Sequence, residues 1–555
     1  MTVKTGKGKS AIADLYPLTP LQQGLWFHAL LDPASGMYFE QSVLRIEGSL
    51  NRDVFRRAWE AVVARHAILR TRIVWDGLEH PLQLVQPTVE LPWTEQDWRD
   101  SPVDGHQARL MEFLDADRVQ GFDLTQAPLM RLTLLQVAES SAIFVWSFHH
   151  LILDRWSVDV VQQEVWSAYQ ALVQGQPLQF NSLRPYREYL GWLQDQDLNR
   201  AEQYWRHLLR GFTAPAVLGV DQAPSAGIEQ QESEYDSEEV VLSEAATTDL
   251  TRWARQQQLT VNTVVQGALA VLLNRYSGSE DVVFGATVSG RSAALPGIET
   301  MVGLFINTLP VRVHVSPSHS VVRWLSELQE QQVTQREYEY TPLFEIQKWS
   351  EVPSGASLFN TLLVVENIPL ESGEKLMAEA AGPKVQRVTG RRGGETNYPL
   401  TIVVVPGRRL YLRFTYDTEH YTAEAITRMV GHFQQVLTGM IGGTGQQRLG
   451  AIPLLTEAER QQLLFEWNAT ETAYPREATI AGQFEAQVAA TPDAVALVFE
   501  DQQPTYSQLN SRANHLAWYL RQQHGVGPEV CVGLCLERSV EMVVGLLGIL
   551  KAGGA

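Results

Sequence analysis

Ser147-Phe148-His149-His150-Leu151-Ile152-Leu153-Asp154-Arg155-Trp156-Ser157 is the stretch from which the architecture can be read. Just before it, Ala142-Ile143-Phe144-Val145-Trp146 is too short for a helix and rich in β-branched and aromatic residues, the pattern of a buried strand. The two histidines therefore stand at a strand exit. Beyond them Val158, Val161, Val165, Tyr169, Leu172 and Val173 recur at three- and four-residue steps. With Ser157 placed to cap and Gly175 and Pro177 placed to stop, the spacing predicts a helix of about five turns. Strand, short loop and helix start bracket the imidazoles, an arrangement that holds a reactive group rigidly at a cleft.

Working outward, 555 residues exceed one ordinary core, and length alone suggests about three or four domains. The composition is that of a globular chain, with 45% hydrophobic residues. A formal net charge of -19 argues against nucleic acid as a partner, since phosphate binding needs clustered Lys and Arg. No stretch of about 18 apolar residues occurs, and Met1 to Lys9 lacks the apolar core of a signal peptide, so the expected location is the cytoplasm, without a membrane partner. The two cysteines, Cys531 and Cys535, fit a reducing compartment; four apart in a strand-like run, they are expected on one side of a strand as small core residues.

In chain order, residues 1–14 read as a polar tail, 15–180 as a first α/β lobe, 181–450 as a second, 451–475 as a linker, and 476–555 as the opening of a further α/β unit. Thr19 is placed to cap a helix starting at Pro20, and Asn51 one carrying Phe55, Ala58, Val62 and Leu69 on a stripe. Arg70 to Trp75 alternates as a strand, and polar loop follows to about residue 105. Leu129 to Val137 and Ala142 to Phe148 read as adjacent strands. Residues 215–238 are a polar connector. Asn262 is expected to cap an apolar helix ending near Gly278, Asp281 to Val288 and Val302 to Arg312 to be strands, and Val321 to Tyr338 a helix. Leu362 to Glu366 reads as a short buried strand, and Thr401 to Val405 and Leu410 to Tyr416 as a hairpin across Pro406-Gly407. A helix over Thr422 to Met440 closes the second lobe. The last unit offers strands at Ala494 to Phe499 and Glu529 to Leu534 and helices over Ser507 to Gln523 and Ser539 to Lys551.

Successive strand residues face opposite sides, so one histidine of the pair points into a cleft and the other inward. A cleft imidazole, with an ordinary pKa of about 6.5, suits a general base for an attacking amine or hydroxyl. A packed or surface imidazole is the plain alternative. No third His or Cys stands at metal-ligand spacing, so no metal site is expected. A Gly-x-Ser-x-Gly elbow is absent, and Gly8-Lys9-Ser10 lacks the strand and glycine spacing of a phosphate loop. Acyl transfer without a covalent enzyme intermediate remains.

Phe148 to Ser157 resembles the HHxxxDG signature of condensation domains of nonribosomal peptide synthetases. Thr19 to Phe27, Arg65-His66-Ala67-Ile68-Leu69-Arg70-Thr71 and Tyr186-Arg187-Glu188-Tyr189 are similar to the family's first, second and fourth motifs. Val302 to Arg312, Tyr340-Thr341-Pro342-Leu343-Phe344-Glu345 and Asn397-Tyr398-Pro399-Leu400 resemble the later ones, so the likeness spans residues 15 to 450. Thr505-Tyr506-Ser507-Gln508-Leu509 and Leu550-Lys551-Ala552-Gly553-Gly554-Ala555 look like the first two motifs of the adenylation domain that follows in a module. The rest of an adenylation domain and a carrier-type Gly-Gly-x-Ser site are not seen, so adenylation by this chain is not expected.

The resemblance implies a chloramphenicol-acetyltransferase-like pseudodimer, two α/β lobes with a tunnel between them, followed by a truncated adenylation fragment. It implies no intrinsically bound cofactor: upstream donor and downstream acceptor carrier domains bring both substrates on 4'-phosphopantetheine arms, beside an adjoining adenylation domain. An acyl or peptidyl thioester is attacked by the amine of an aminoacyl thioester. By motif, His150 is the active histidine, either taking the ammonium proton or orienting the amine and stabilising the tetrahedral intermediate. His149 and Asp154 are support, with Arg291, after Ser289-Gly290, the candidate partner of Asp154. Arg155 departs from the family's glycine and, with Trp156 and Ser157, is expected to border the tunnel; an outward surface arginine is the alternative. The residues from Thr19 to Gly24 and from Gly394 to Leu400 look more like the subclass taking a donor with a D-configured terminal residue. A catalytically silent docking domain and an epimerisation domain are the competing functions.

Overall fold

The apolar run around Val145 forms an interior strand of a mixed sheet, and its neighbours set the shape of the first lobe. The computed structural model describes residues 12–31, 36–100, 105–220, 235–291, 295–366, 383–388, 396–443 and 447–555, which form two compact units divided between Glu459 and Arg460. The predicted tail up to residue 11, most of the 215–238 connector and Gly394-Glu395 lie outside the described residues.

In the first unit the chain runs β1 (Asp14–Pro17), α1 (Pro20–Leu31), β2 (Phe39–Glu47), α2 (Arg52–Arg65), β3 (Thr71–Val74), β4 (Leu82–Val85), β5 (Trp93–Asp97), α3 (His106–Gln120), β6 (Met130–Ala138), β7 (Ser141–His149) and α4 (Arg155–Val173). It continues through α5 (Tyr186–Gln194), α6 (Leu198–Leu208), β8 (Tyr235–Val241), α7 (Glu244–Gln256), α8 (Val261–Ser277), β9 (Asp281–Val288), β10 (Asn307–His314), α9 (Val321–Gln335) and α10 (Leu343–Trp349). The last elements are β11 (Thr361–Val365), β12 (Lys384–Val388), β13 (Leu400–Val405), β14 (Tyr411–Asp417) and α11 (Ala423–Gly442).

β7 is apolar on both faces because both are covered. Phe144 and Trp146 pack with Phe55 and Trp59 of α2 and Val161 and Val165 of α4, while Ile143 and Val145 pack with Leu110 and Leu114 of α3. Phe144 lies 5.0 Å from Phe55, and Trp146 lies 4.9 Å from Trp59, both edge-to-face. Each such buried side chain contributes about 1.5–3 kcal/mol, which anchors the strand whose end carries the histidines. The sheet order is β12-β2-β7-β6-β5, with β2 antiparallel to β7 and Phe39 opposite His149. β12 arrives from the far half of the chain to pair antiparallel with β2, Val385 opposite Ile46.

The second lobe holds a six-stranded sheet, β10-β9-β11-β13-β14-β8, in which β11 runs parallel to both β9 and β13. Its core is α8, α9 and α11 against Phe284, Ile402, Val404 and Phe414. α8 is buried nearly all round, which is why it reads as one apolar run. β1, β4 and β3 form a small separate sheet.

Several expectations give way. Asn51, Thr19 and Thr422 stand at helix starts as expected, but α8 is capped by Thr260 rather than Asn262, its hydroxyl accepting the Thr263 amide. Ser157 does not cap α4: Asp154 does, because its carboxylate reaches the Ser157 amide and Ser157 lies inside the first turn. The stretch expected to be polar loop holds β4 and β5, and residues 302–306 are loop, the strand beginning only at Asn307. β2 is not anticipated at all, since Glu40, Gln41 and Ser42 interrupt its apolar pattern; these residues face a cavity rather than the core.

In the second unit α12 (Ile480–Ala490), α13 (Tyr506–His524) and α14 (Val540–Ala552) pack through Leu509, Val540 and Val544. A capping box of Thr505 and Gln508 starts α13. The strands expected at 494–499 and 529–534 are not formed; only the isolated bridges Val495–Thr505 and Phe499–Gln502 occur there. Without a paired ladder to turn one side inward, Cys531 and Cys535 are exposed rather than core residues.

Candidate functional site

The two histidines are held in opposite states by local backbone groups. The His149 main-chain N–H donates to Leu129 O at 3.0 Å, and its Nδ1 accepts the Leu151 amide at 3.1 Å, so its proton sits on Nε2. The ring is 5% exposed; burial, then the neighbouring His150, pushes its pKa down to about 3. His150 turns the other way. Its main-chain N–H donates to Tyr38 O at 2.8 Å, and its Nδ1 lies 2.6 Å from Leu153 O. A carbonyl only accepts, so Nδ1 carries a hydrogen, and in the neutral imidazole Nε2 is the nitrogen with the lone pair. His150 lines a cavity of about 1200 Å³ between the two lobes.

Asp154 is 1% exposed and ties the lobes together. Its Oδ1 accepts the Ser157 amide at 2.7 Å and faces Arg291 Nη2 at 3.2 Å, while Oδ2 accepts the Phe305 amide at 3.1 Å. Arg291 also donates to Ser157 Oγ at 2.9 Å and to the carbonyls of Ile298 and Met301 at 2.6 and 3.0 Å, and its guanidinium lies 4.0 Å from the Phe305 ring centre. Ser157 Oγ in turn donates to Gly303 O at 2.7 Å. The loop 302–306 is thus the receptor for the start of α4. Gly290 makes this approach feasible: its φ is +63°, and a Cβ there would collide with Phe305 O.

Arg155 is the first residue of α4, where helical φ does not call for glycine. It borders the cavity, with Nη2 3.2 Å from Asp159 and Nε 3.7 Å from Glu366 at the end of β11. Arg387 of β12 meets the same Asp159 at 3.3 Å. Burial raises the carboxyl pKa of both Asp159 and Glu366, against the opposing pull of Arg155. Trp156 is partly exposed, and its Nε1 donates to Glu299 O at 2.8 Å. Asp159, Glu366, Arg387 and Tyr38 are missed by sequence reasoning. The first three become a cluster only when β11 and β12 fold against α4, and no local pattern marks them.

A family model for the condensation domain matches residues 12–464. The chain belongs to the condensation-domain family. A second model, AMP-binding enzyme, matches residues 484–555, behind the condensation domain. A linear gramicidin synthase of Brevibacillus parabrevis is 46% identical over 544 residues, 98% of this chain and 10% of that protein. Chondramide synthase of Chondromyces crocatus is 37% identical over 617 residues, 99% of this chain and 15% of that one. The chain thus spans about a tenth of the length of the gramicidin synthases it resembles. Among solved structures, a four-domain nonribosomal peptide synthetase bound to AMP and glycine superposes with a TM-score of 0.77 at 19% identity, covering 99% of this chain and 42% of that one. The first condensation domain of the calcium-dependent antibiotic synthetase, with a substrate analogue, gives 0.65 at 20% identity over 80% of this chain and all of its own. The fold is therefore the two-lobed, chloramphenicol-acetyltransferase-like one, and the condensation domain is an amide-forming acyltransferase of the nonribosomal peptide synthetase type. Among the described residues no helix is long and apolar enough to cross a membrane.

Proposed function

We propose that this condensation domain joins an upstream acyl or peptidyl thioester, D-configured at its terminal residue, to the amine of a downstream aminoacyl thioester. Both substrates are carried on 4'-phosphopantetheine arms of carrier domains, which meet in the cavity from opposite sides, in the cytoplasm and beside an adjoining adenylation domain. The observation that carries the reading is the Nδ1–H contact of His150 to the Leu153 carbonyl, which leaves Nε2 as the proton acceptor of the neutral ring on a residue that lines a cavity large enough for both reacting ends. The amine nitrogen attacks the thioester carbon, a C–N bond forms, the C–S bond breaks, and the amine's proton is taken or held at Nε2 while the thiolate leaves. His149, kept neutral by burial, and Asp154 with Arg291 hold the loop. Arg155, across from Glu366, borders the path of a substrate arm and gates it.

The test loads one carrier with a peptidyl donor ending in a D- or L-residue and another with an aminoacyl acceptor, and weighs the released arms by mass spectrometry. Amide on the acceptor arm is expected with the D-donor and is lost in His150→Ala with folding retained. Inverted donor without amide, read by chiral chromatography of the released donor because inversion leaves its mass unchanged, would identify an epimerase, and neither amide nor inversion a silent docking domain. Equal yield from both donors would remove the D-donor assignment.

A further inference from the structure

Tyr38 occupies a backbone conformation that its side chain disfavours. Its φ is +62°, in the left-handed region that a bulky residue adopts only when its surroundings impose it. It is the third residue of a tight turn in which the Phe39 amide donates to Gly36 O at 3.3 Å, and it leads directly into β2, where Phe39 pairs with His149. Two contacts hold it there. The Tyr38 carbonyl accepts the main-chain N–H of His150 at 2.8 Å. Its hydroxyl donates to Asn397 Oδ1 at 3.1 Å, on the short segment that enters β13 of the second lobe. The ring is buried, and both partners line the same cavity. One residue therefore grips the catalytic candidate by its main chain and the opposite lobe by its side chain.

We propose that Tyr38 is the positioning residue for His150: it sets the height of the imidazole in the cavity and takes its own orientation from Asn397, so that the site is aligned only when the two lobes are apposed. This rests on the role given to His150 above. A residue serving packing alone would affect stability and leave turnover per folded molecule unchanged. A positioning residue affects turnover at saturation while leaving half-saturating carrier concentrations nearly unchanged.

Tyr38→Phe keeps ring and backbone and removes only the hydroxyl. With loaded donor and acceptor carriers in excess, amide-forming turnover is expected to fall about tenfold while half-saturating carrier concentrations stay within about twofold. Asn397→Ala should give a similar loss. The double variant should be no slower than the worse single one, since both remove the same bond. Thermal midpoints are measured alongside to count folded molecules. Turnover by Tyr38→Phe equal to the unmutated chain, or losses that multiply in the double variant, would overturn the proposal. Amide made by the unmutated chain in the same assay supports the parent reading separately, so the two failures are distinguishable.

Discussion

Removing the Asp154 carboxylate should unfold the site rather than slow the chemistry. The side chain satisfies three groups at once: the Ser157 amide at the start of α4, the Phe305 amide in the second lobe, and the Arg291 guanidinium, itself 5% exposed. Breaking a buried ion pair from one side costs about 3–5 kcal/mol, since the remaining charge stays desolvated. Loss of the cap adds about 1 kcal/mol, and the Phe305 amide loses its partner as well. We expect Asp154→Ala to lose about 5 kcal/mol. Asp154→Asn, which can still cap, should lose about 3 kcal/mol. Asp154→Ala combined with Arg291→Met removes both charges and should recover about 2 kcal/mol of the single variant's loss. Urea unfolding followed by tryptophan fluorescence gives the stabilities, and amide yield per folded molecule gives the chemistry. Asp154→Ala within about 1 kcal/mol of the parent, or a double variant less stable than the single, would refute the reasoning. So would a fully stable but inactive Asp154→Ala, which would move the residue into the chemistry.

His149 should make the fold acid-sensitive. Its folded pKa of about 3 lies below the ordinary value, so between about pH 6.5 and 3 the unfolded chain holds a proton that the native one does not. Stability therefore falls as pH drops through that window, by up to about 1.4 kcal/mol per unit, and His149→Gln should flatten the slope in urea titrations from pH 7 to 4; an unchanged slope contradicts this. Gly290→Ala, whose Cβ would run into Phe305 O, should lose more than about 2 kcal/mol, while Gly175→Ala, at φ +67° with open space around it, should lose only about 1 kcal/mol. Equal unfolding midpoints for the two would show that the loop carrying Arg291 yields freely. Arg155→Gly removes the link to Glu366 and should raise hydrolysis of the donor thioester relative to amide, read by mass spectrometry; unchanged rates, acceptor dependence and hydrolysis would end the gating idea.

Elements that bury a periodic face were legible: β6, β7, α4, α9, the β13–β14 hairpin and α11 follow from apolar spacing and caps near their observed bounds. The His-His-Asp stretch was legible as a candidate site because a strand exit followed by a helix start is a local pattern. Ser157 shows the limit of that reading. A serine before an apolar stripe looks like a cap, but the chain enters the helix three residues earlier, where Asp154 answers both the helix and Arg291. β2 escaped because its polar residues serve a cavity, and Tyr38 because its importance lies in a φ angle and a partner 359 positions away. The last unit's strands fail for a related reason: alternation predicts a ladder only where a second strand is there to pair.

β12 carries a practical consequence for recombining such domains. Lys384 to Val388 belongs by position to the second lobe, yet its hydrogen bonds complete the first lobe's sheet, from Lys384 against Glu47 to Val388 against Val43. A hybrid spliced near residue 180 would dress one parent's sheet with the other parent's edge strand, beside the Arg387 contact to Asp159. Parents that differ at residues 43–47 or 384–388 should give poorly expressed chimaeras unless this pair of segments is inherited together.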